Sequence, residues 1–546
     1  MPRFFLRPLL STLLAPFVMG QDAPPTASAG VPTASATASA VQALPDAAYG
    51  LILIPDLTKL SQHSSQIATL FQGSGPAQPT LVDSLGGLLG DPGLNNLAHT
   101  PIVGVIVPGI PAPGMALIIP CVKPQTYLDA LANFNMTGQA VGTLAVVSNN
   151  PAAIQAGVAI AASYQSLIAA PDASDIRMVL SPKRLAAAYG GFIKNMTLMM
   201  AANAKGMGQV LNAEVSGFLA VSADVDAVQA DLTWNGSTLA FDQTLAARPG
   251  SALAKALSAL PQDGAPSAAT RLDDRPSLVA LAGRFNAPAL GAYANALAST
   301  LSADPAFAGL ISPAMLDGFT KLFQAQTGSI AMQVSSTKTF PFTVTEAFGT
   351  TDPKGLEATE RSLLALMSAS GFMHTTGMSF TFDPGVRTVG TTPVDRFTTV
   401  YPPAMKSSGM MTQPPMEMAF TNAFVLISQD PASLDAMIQG SNHGMTLQAT
   451  KEFPAGQDGY GDVDPDFMTA AIATANPAFI PPAGLSHARC TLSWLVADSQ
   501  SHVHVHIPAG SLTDFAAIIA AMKAQHVQAG NAPAHAHAAS APAPTF

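Results

Sequence analysis

Two stretches of the sequence, 280 positions apart, repeat one pattern, and this repetition constrains the fold more than any other feature. Residues 143–156 read TLAVVSNNPAAIQA and residues 423–436 read AFVLISQDPASLDA. Aligned without a gap, they share a serine, a proline and two alanines, and their apolar positions coincide. Each stretch combines a short apolar run, a polar turn that ends in proline, and the start of a helix. Internal duplication of one α+β unit is the simplest explanation.

Further segments extend the predicted repeat. Residues 116–129 and 345–358 each contain a strand that runs into a proline-marked helix start, at a spacing of 229, so an insertion is expected in the second copy before Phe420. Both halves end with predicted strands followed by a helix that starts near a Gly-Ser pair. These strands are 218–221, 229–234 and 238–246 in the first half, and 490–496 and 502–507 in the second.

The arrangement predicts an α+β fold of two homologous tandem units, each an antiparallel sheet packed with helices. Short turns join most of the strands, and helices follow proline-marked breaks, which favours antiparallel sheets. The first unit is predicted to span residues 45–260 and the second residues 277–525. Charge, Pro and Gly gather in residues 261–276, which are predicted to form the linker.

The two ends of the chain have the composition of a signal peptide and of disordered segments. Residues 1–20 contain two arginines, a short apolar run and a small-residue cleavage site, which predicts export to an extracytoplasmic location. Residues 21–44 are rich in Ala, Thr, Ser and Pro, and residues 526–546 are rich in Ala, Pro and His. Such segments bury too little apolar surface to fold, so a disordered tether and a disordered tail are expected.

One internal segment is apolar enough to raise the question of a membrane span. Residues 100–122 contain no acidic or basic residue, but they contain five prolines. Proline removes a backbone donor and breaks a helix. Residues 102–107 and 115–119 are therefore predicted to be two strands joined by the turn PGIPAPG, and no transmembrane span is expected.

The charge balance argues against nucleic acid as a partner. The net charge is -10, only 11% of the residues are charged, and Lys and Arg form no cluster. Phosphate neutralisation requires gathered basic side chains, so neither nucleic acid nor an anionic membrane surface is favoured.

These elements together resemble a family of large extracytoplasmic bacterial proteins of unknown function. The resemblance rests on the strand followed by a Pro-Asp helix start, the SNNPAAI and SQDPASL elements, and the PGSALAKAL helix, and it covers most of residues 45–525. Members of this family, known mostly from planctomycete-like and related bacteria, have two such α+β halves behind a signal peptide. The resemblance implies the same architecture here and supplies no catalytic residue.

The chain contains one arrangement with metal chemistry and none of the common catalytic motifs. It has no HExxH, GxSxG or P-loop sequence. His502, His504 and His506 alternate along a predicted strand, so their imidazoles share one face about 7 Å apart. A pair of them could hold zinc or copper if a neighbouring strand supplied a further ligand. The alternative is a half-buried strand whose polar face happens to use histidine. No other cofactor is expected.

Three further groups of residues have two interpretations each. Cys121 and Cys490 are candidates for a disulfide in an oxidising compartment, if the two halves bring them together. The acidic segment DGYGDVDPD is either a calcium site or, as favoured, a solvated turn. Met196, Met199 and Met200 have helical spacing and are predicted to pack in a core or a groove.

The sequence therefore predicts an exported, non-enzymatic envelope protein with a binding or structural role. The second hypothesis is carriage of an apolar ligand or lipid in a groove between sheet and helices, which requires a large apolar cavity. The third is metal binding by the histidine strand. An envelope protein or an apolar ligand is the expected partner.

Overall fold

The computed structural model describes residues 41–72, 79–89, 91, 93–97, 100–169, 173–203, 208–257, 267–302, 312–335, 342–368, 379–401, 414–475 and 479–530. The predicted signal peptide lies outside these residues, as do most of the predicted tether and tail.

In the described part of the chain, eighteen strands form one sheet, and every pairing between them is antiparallel. The strands are β1 (Gly50–Ile54), β2 (Ile102–Val107), β3 (Gly114–Pro120), β4 (Thr137–Val141), β5 (Leu144–Ser148), β6 (Ile176–Leu180), β7 (Val225–Trp234), β8 (Thr238–Ala247), β9 (Val279–Arg284), β10 (Gln326–Ser335), β11 (Thr343–Thr350), β12 (Ser379–Val389), β13 (Thr392–Val400), β14 (Met416–Phe420), β15 (Phe424–Ser428), β16 (Gly459–Val463), β17 (Cys490–Ala497) and β18 (Gln500–Pro508).

Helices lie between the strands and pack on both faces of the sheet, which confirms the α+β fold class. They are α1 (Leu57–Gln72), α2 (Leu81–Leu89), α3 (Pro124–Ala132), α4 (Pro151–Ala161), α5 (Tyr164–Leu167), α6 (Pro182–Asn203), α7 (Gly208–Asp224), α8 (Ala252–Ala256), α9 (Ala287–Ser302), α10 (Pro313–Gln324), α11 (Pro353–Ser368), α12 (Pro431–Gln439), α13 (Ala449–Glu452), α14 (Phe467–Ala475) and α15 (Ala509–Gly530), with a 3-10 turn at Ala268–Arg271. Among the described helices, none is both long and apolar enough to cross a membrane.

The two halves of the chain arrange their strands in the same order. The first half runs β4-β5-β3-β2-β1-β6-β7-β8 across the sheet. The second runs β14-β15-β11-β10-β9-β16-β17-β18, with the hairpin β13-β12 added outside β14. The halves join where β8 pairs with β18. The added hairpin precedes Phe420, where the sequence spacing predicts an insertion.

The two similar sequence stretches form the same turn in each half. Asn150 and Asp430 are the N-cap residues of α4 and α12, both have extended backbone angles, and both are followed by proline at the first helical position. Ser148 Oγ accepts the backbone N–H of Asn150 at 3.0 Å, and Ser428 Oγ accepts that of Asp430 at 3.0 Å. The common origin of the halves stays a prediction, which this local likeness favours.

Each half has one apolar core on each face of the sheet. On the face that we call the front face, Val146 and Ile118 pack against α4, and in the second half Leu426 and Ala347 pack against α12. On the back face, Ala145 and Val147 pack with α1 and α3, whereas Val425 packs with α10 and α11. Strand alternation explains the division, because successive side chains point to opposite faces.

Several details differ from the sequence predictions. Residues 218–221 belong to helix α7 and not to a strand, because a short apolar run suits either structure. Ala268 and Leu272, inside the predicted linker, are buried in the front core of the second half. At the termini, Gln42 bonds to Gln229 and to the carbonyl of Leu167, so part of the predicted tether is ordered, and α15 continues five residues into the predicted tail.

Candidate functional site

A pocket of about 600 Å³ lies on the front face of the second half. Its floor is formed by β9, β10 and β16 through Ala282, Arg284, Ser329, Asp458 and Tyr460. Its walls are the two chain segments that cross the strands at residues 267–269 and 445–450. The volume is that of typical small-molecule sites, which span about 300 to 1,000 Å³.

The walls of the pocket are held to the sheet and to each other by hydrogen bonds. The backbone N–H of Ala268 donates to Ser329 Oγ at 2.8 Å, which fixes the 3-10 turn over β10. The N–H of Met445 donates to the carbonyl of Ala269 at 3.0 Å and joins the two walls. Asp462 of β16 accepts the N–H groups of Gln448 and Ala449 and anchors the start of α13. The cavity is therefore preformed.

Arg284 and Asp458 supply the charged groups of the pocket. Their backbones are joined by the 2.7 Å bond from Arg284 N to the carbonyl of Asp458. Arg284 is half-buried, and its guanidinium makes no hydrogen bond or ion pair within the described part of the chain. Burial raises the pKa of Asp458, which the bond from Val496 N at 2.7 Å and the charge of Arg284 oppose. An unpaired guanidinium in a partly desolvated cavity is suited to an anionic group.

Hydroxyl groups surround the two charged side chains. Ser267, Thr446, Thr450 and Tyr460 line the pocket, and the hydroxyls of Thr450 and Tyr460 donate to backbone carbonyls. Their oxygens remain able to accept hydrogen bonds from a ligand. The lining is thus mixed, with apolar contact from Met445 and Leu447 and polar contact elsewhere.

The three predicted histidines lie side by side on the front face of β18, at the join between the halves. His502 is buried, and its Nδ1 lies 3.1 Å from Thr244 Oγ1. His504 Nδ1 lies 2.6 Å from Asp242 Oδ1 on β8. The ring of His506 stacks on Phe453 at a centroid distance of 4.4 Å. Burial lowers the pKa of His502 and of His506, because the charged imidazolium loses hydration.

The structure joins each histidine to a different neighbour. In the described ranges, no three His, Cys, Asp or Glu side chains are grouped closely enough to hold a metal ion. A neighbouring strand nevertheless supplies the expected additional side chain, Asp242, beside His504. Within the described part of the chain, the Nε2 atom of buried His502 has no hydrogen-bond partner. Metal binding at this strand stays a prediction.

Ser493, His504 and Asp242 lie in one row across three adjacent strands, an arrangement that resembles the residue types of a hydrolytic triad. Ser493 is fully buried, and its Oγ has no hydrogen-bond partner among the residues that the structure describes. A nucleophilic serine must be accessible and bonded to its base. This row therefore lacks the geometry of a nucleophile.

The candidate disulfide is not formed in the structure, because Cys121 and Cys490 are free thiols. Cys121 follows β3 and Cys490 begins β17, and six strands separate β3 from β17 in the sheet. At the usual spacing between strands this corresponds to about 34 Å, far beyond the reach of a bridge. The distance between the two cysteines depends on how the halves of the chain pack, and no local pattern in the sequence reveals that packing.

The acidic segment DGYGDVDPD is a strand and its flanks, not a solvated turn. Asp458, Asp462 and Asp464 each accept a backbone N–H, and Asp462 is buried. Burial raises the pKa of Asp466 to about 6, assisted by the neighbouring carboxylates of Asp514 and Asp464. The carboxylates of Asp458, Asp462 and Asp464 thus bind backbone N–H groups of the second half.

The predicted packing of three methionines is also wrong, because Met196, Met199 and Met200 are exposed on α6. Sequence reasoning missed Arg284 and Asp458 as pocket residues. The only available signal was that Arg284 is a charged residue at the end of an apolar strand.

Comparisons with protein-family models, with curated proteins and with solved structures found no match to this chain. The family resemblance based on the sequence elements therefore stays a prediction.

Proposed function

We propose that this protein is an exported, non-enzymatic binding protein whose front-face pocket takes a small polar ligand with an anionic group. The observation that carries the proposal is the half-buried guanidinium of Arg284, which lacks an ion-pair partner within the described residues and lines a preformed cavity of about 600 Å³. The basic and apolar segment at residues 1–20 supports an extracytoplasmic location.

The chemistry of the lining favours a polar ligand over a lipid. A hydrocarbon chain in this pocket would cover Arg284 and Asp458 without replacing their bonds to water, at a cost of several kcal/mol for a charge left unpaired. A carboxylate or phosphate would instead form two parallel hydrogen bonds to the planar guanidinium. The hydroxyls of Thr446 and Tyr460 are placed for the remaining polar groups of such a ligand.

The proposal is tested by titrating the purified mature chain with small carboxylates and phosphate monoesters in a calorimeter. We expect at least one compound to bind, and Arg284→Gln to weaken it by about tenfold or more, as for a lost charge-assisted pair. Lys523→Gln, an exposed change on α15, is the matched control and should leave binding unchanged. Equal affinity in Arg284→Gln, or binding of fatty acids alone, contradicts the proposal.

Metal binding by the histidine strand is the second candidate function, and one observation favours it. A carboxylate bonded to one ring nitrogen is the usual support of a metal-binding histidine, and Asp242 bonds His504 Nδ1 in this way. In that case Nε2 of His504 would be its ligand atom for zinc or copper, together with Nε2 of His502, which has no hydrogen-bond partner among the described residues.

A further inference from the structure

The helix pair α6–α7 exposes an unusual amount of apolar surface. Among the side chains that the structure describes on these two helices, seven large apolar ones are exposed, and Met199, Met200 and Phe218 are 70%, 60% and 60% exposed. The others are Phe192, Ile193, Met196 and Leu198. Contiguous exposed apolar surface of this kind marks an interaction site in a soluble domain.

Among the described residues of α6 and α7, those that are fully buried are small or polar. Thr197 of α6 and Ser216 of α7 are buried, and Gly190 of α6 lies against Leu219 of α7. Helices of water-soluble domains normally show the reverse pattern, with large apolar residues buried and polar residues outside. Small and hydroxyl residues between helices, with large apolar residues outside, are the pattern of helix pairs that contact lipid.

The charge of this segment differs in sign from that of the whole protein. The pair and its connection, residues 182–224, contain four basic and two acidic residues, in a chain with a net charge of -10. Near the sheet, Lys183 and Arg184 contact aspartates, as does Arg177 of β6. Lys194 lies farther along α6, among the exposed apolar side chains. Local positive charge beside apolar side chains complements an anionic lipid surface.

The pair is also an addition to the common scaffold. In the first half α6 and α7 connect β6 to β7, whereas the corresponding strands β16 and β17 are connected through the single described helix α14. The sheet therefore does not need the pair in order to form. The exposed surface lies at the end of α6 that is farther from β6.

We propose that the α6–α7 pair docks on an anionic lipid bilayer, with Met199, Met200 and Phe192 entering the boundary between head groups and acyl chains. The burial of these side chains in the acyl region supplies the apolar term, and Lys194 supplies attraction to lipid phosphates. The docking is peripheral, since none of the described helices can span a membrane. The negative net charge of the whole chain disfavours binding to anionic surfaces, but the charge of residues 182–224 is positive.

The experiment is co-sedimentation of the mature chain with vesicles of phosphatidylglycerol and phosphatidylcholine, compared with pure phosphatidylcholine. We expect binding to the anionic vesicles that weakens with added salt, and a loss of about tenfold or more in Met199→Glu/Met200→Glu. Ile480→Glu is the matched control, because Ile480 is 77% exposed and lies outside the pair. Its binding should equal that of the wild type.

A second measurement separates docking from a folding defect. Phe192→Trp places a reporter on the proposed surface, since Trp234 is buried and Trp494 lies in a strand. Its fluorescence should shift to shorter wavelength with anionic vesicles, and Met199→Ser/Met200→Ser in this background should reduce the shift while the circular dichroism spectrum is unchanged. Absence of vesicle binding by the wild type overturns the proposal. Dimerisation that Met199→Glu/Met200→Glu abolishes, without vesicle binding, assigns the surface to a second copy instead.

Discussion

His504 Nδ1 lies 2.6 Å from Asp242 Oδ1 at the centre of the sheet, where the two halves of the chain meet. The two residues occupy corresponding places, because each lies on the last strand of its half and pairs with the residue 11 positions earlier on the preceding strand, Asp231 for Asp242 and Ser493 for His504. They also face each other directly in the β8–β18 pairing. This register is the one expected if a local two-fold axis between the two side chains relates the halves.

The Asp242–His504 contact is expected to couple the two halves weakly. The side chains are 44% and 38% exposed, and pairs at such positions contribute about 0.2 to 1 kcal/mol. A double-mutant cycle with Asp242→Ala and His504→Ala, measured by denaturant unfolding, should give a coupling energy in this range. A coupling energy of zero would mean that the contact has no role in holding the join.

The helix caps at the two similar turns should contribute equally to stability. Asn150 accepts the N–H of Ala152, and Asp430 accepts that of Ser433. Asn150→Ala and Asp430→Ala should each lower the free energy of unfolding by about 1 kcal/mol. Ser163→Ala is the control, since Ser163 precedes α5 without making a side-chain cap bond, and its effect should be much smaller. A large difference between the two cap variants would count against structural equivalence of the turns.

Local sequence patterns predicted the parts of the fold that local interactions determine. The proline-flanked runs at 102–107 and 115–119 form β2 and β3, and both Asn-Pro and Asp-Pro elements start helices. The pairing of β8 with β18 joins residues about 260 positions apart, and no periodicity in either strand specifies its partner. The pocket was missed for the same reason, because Arg284 and Thr446 meet only after the sheet has formed.

Lower pH should destabilise the protein through His502. Burial holds its pKa below the ordinary value of 6.5, assisted by the charge of His504, while Asp498 acts in the opposite direction. The unfolded chain then binds more protons between the two pKa values, so the free energy of unfolding falls as the pH is lowered from about 6.5 through the folded-state pKa. Unfolding curves at pH 5 and pH 7.5 should differ less in His502→Gln than in the wild type. The raised pKa of Asp466 has the opposite effect, because protonation of Asp466 stabilises the folded state as the pH falls. This effect is present in both the wild type and His502→Gln, so it cancels in the comparison.

Zinc or copper uptake, if the histidine strand is a site, should depend on His504. Its imidazole lies between His502 and His506 and belongs to both neighbouring pairs, and Asp242 orients it. Calorimetry should therefore show loss of stoichiometric binding in His504→Ala. The control is His535→Ala/His537→Ala, which changes only the tail. Identical uptake by His504→Ala and the wild type would exclude the strand as the site.

Both cysteines should react slowly with thiol reagents in the native protein and rapidly after unfolding. Burial raises the pKa of Cys121 to about 12 and that of Cys490 to about 11, so the thiolate, which is the reactive form, is scarce at pH 8. Cys121 is also almost fully buried, which blocks the approach of a reagent. A maleimide should label both thiols rapidly in guanidinium chloride, and each of them much more slowly in buffer. In guanidinium chloride, Cys490→Ser should reduce the number of labelled thiols from two to one. A mass that rises by two hydrogens on reduction would instead reveal a bridge, which the six strands between β3 and β17 exclude.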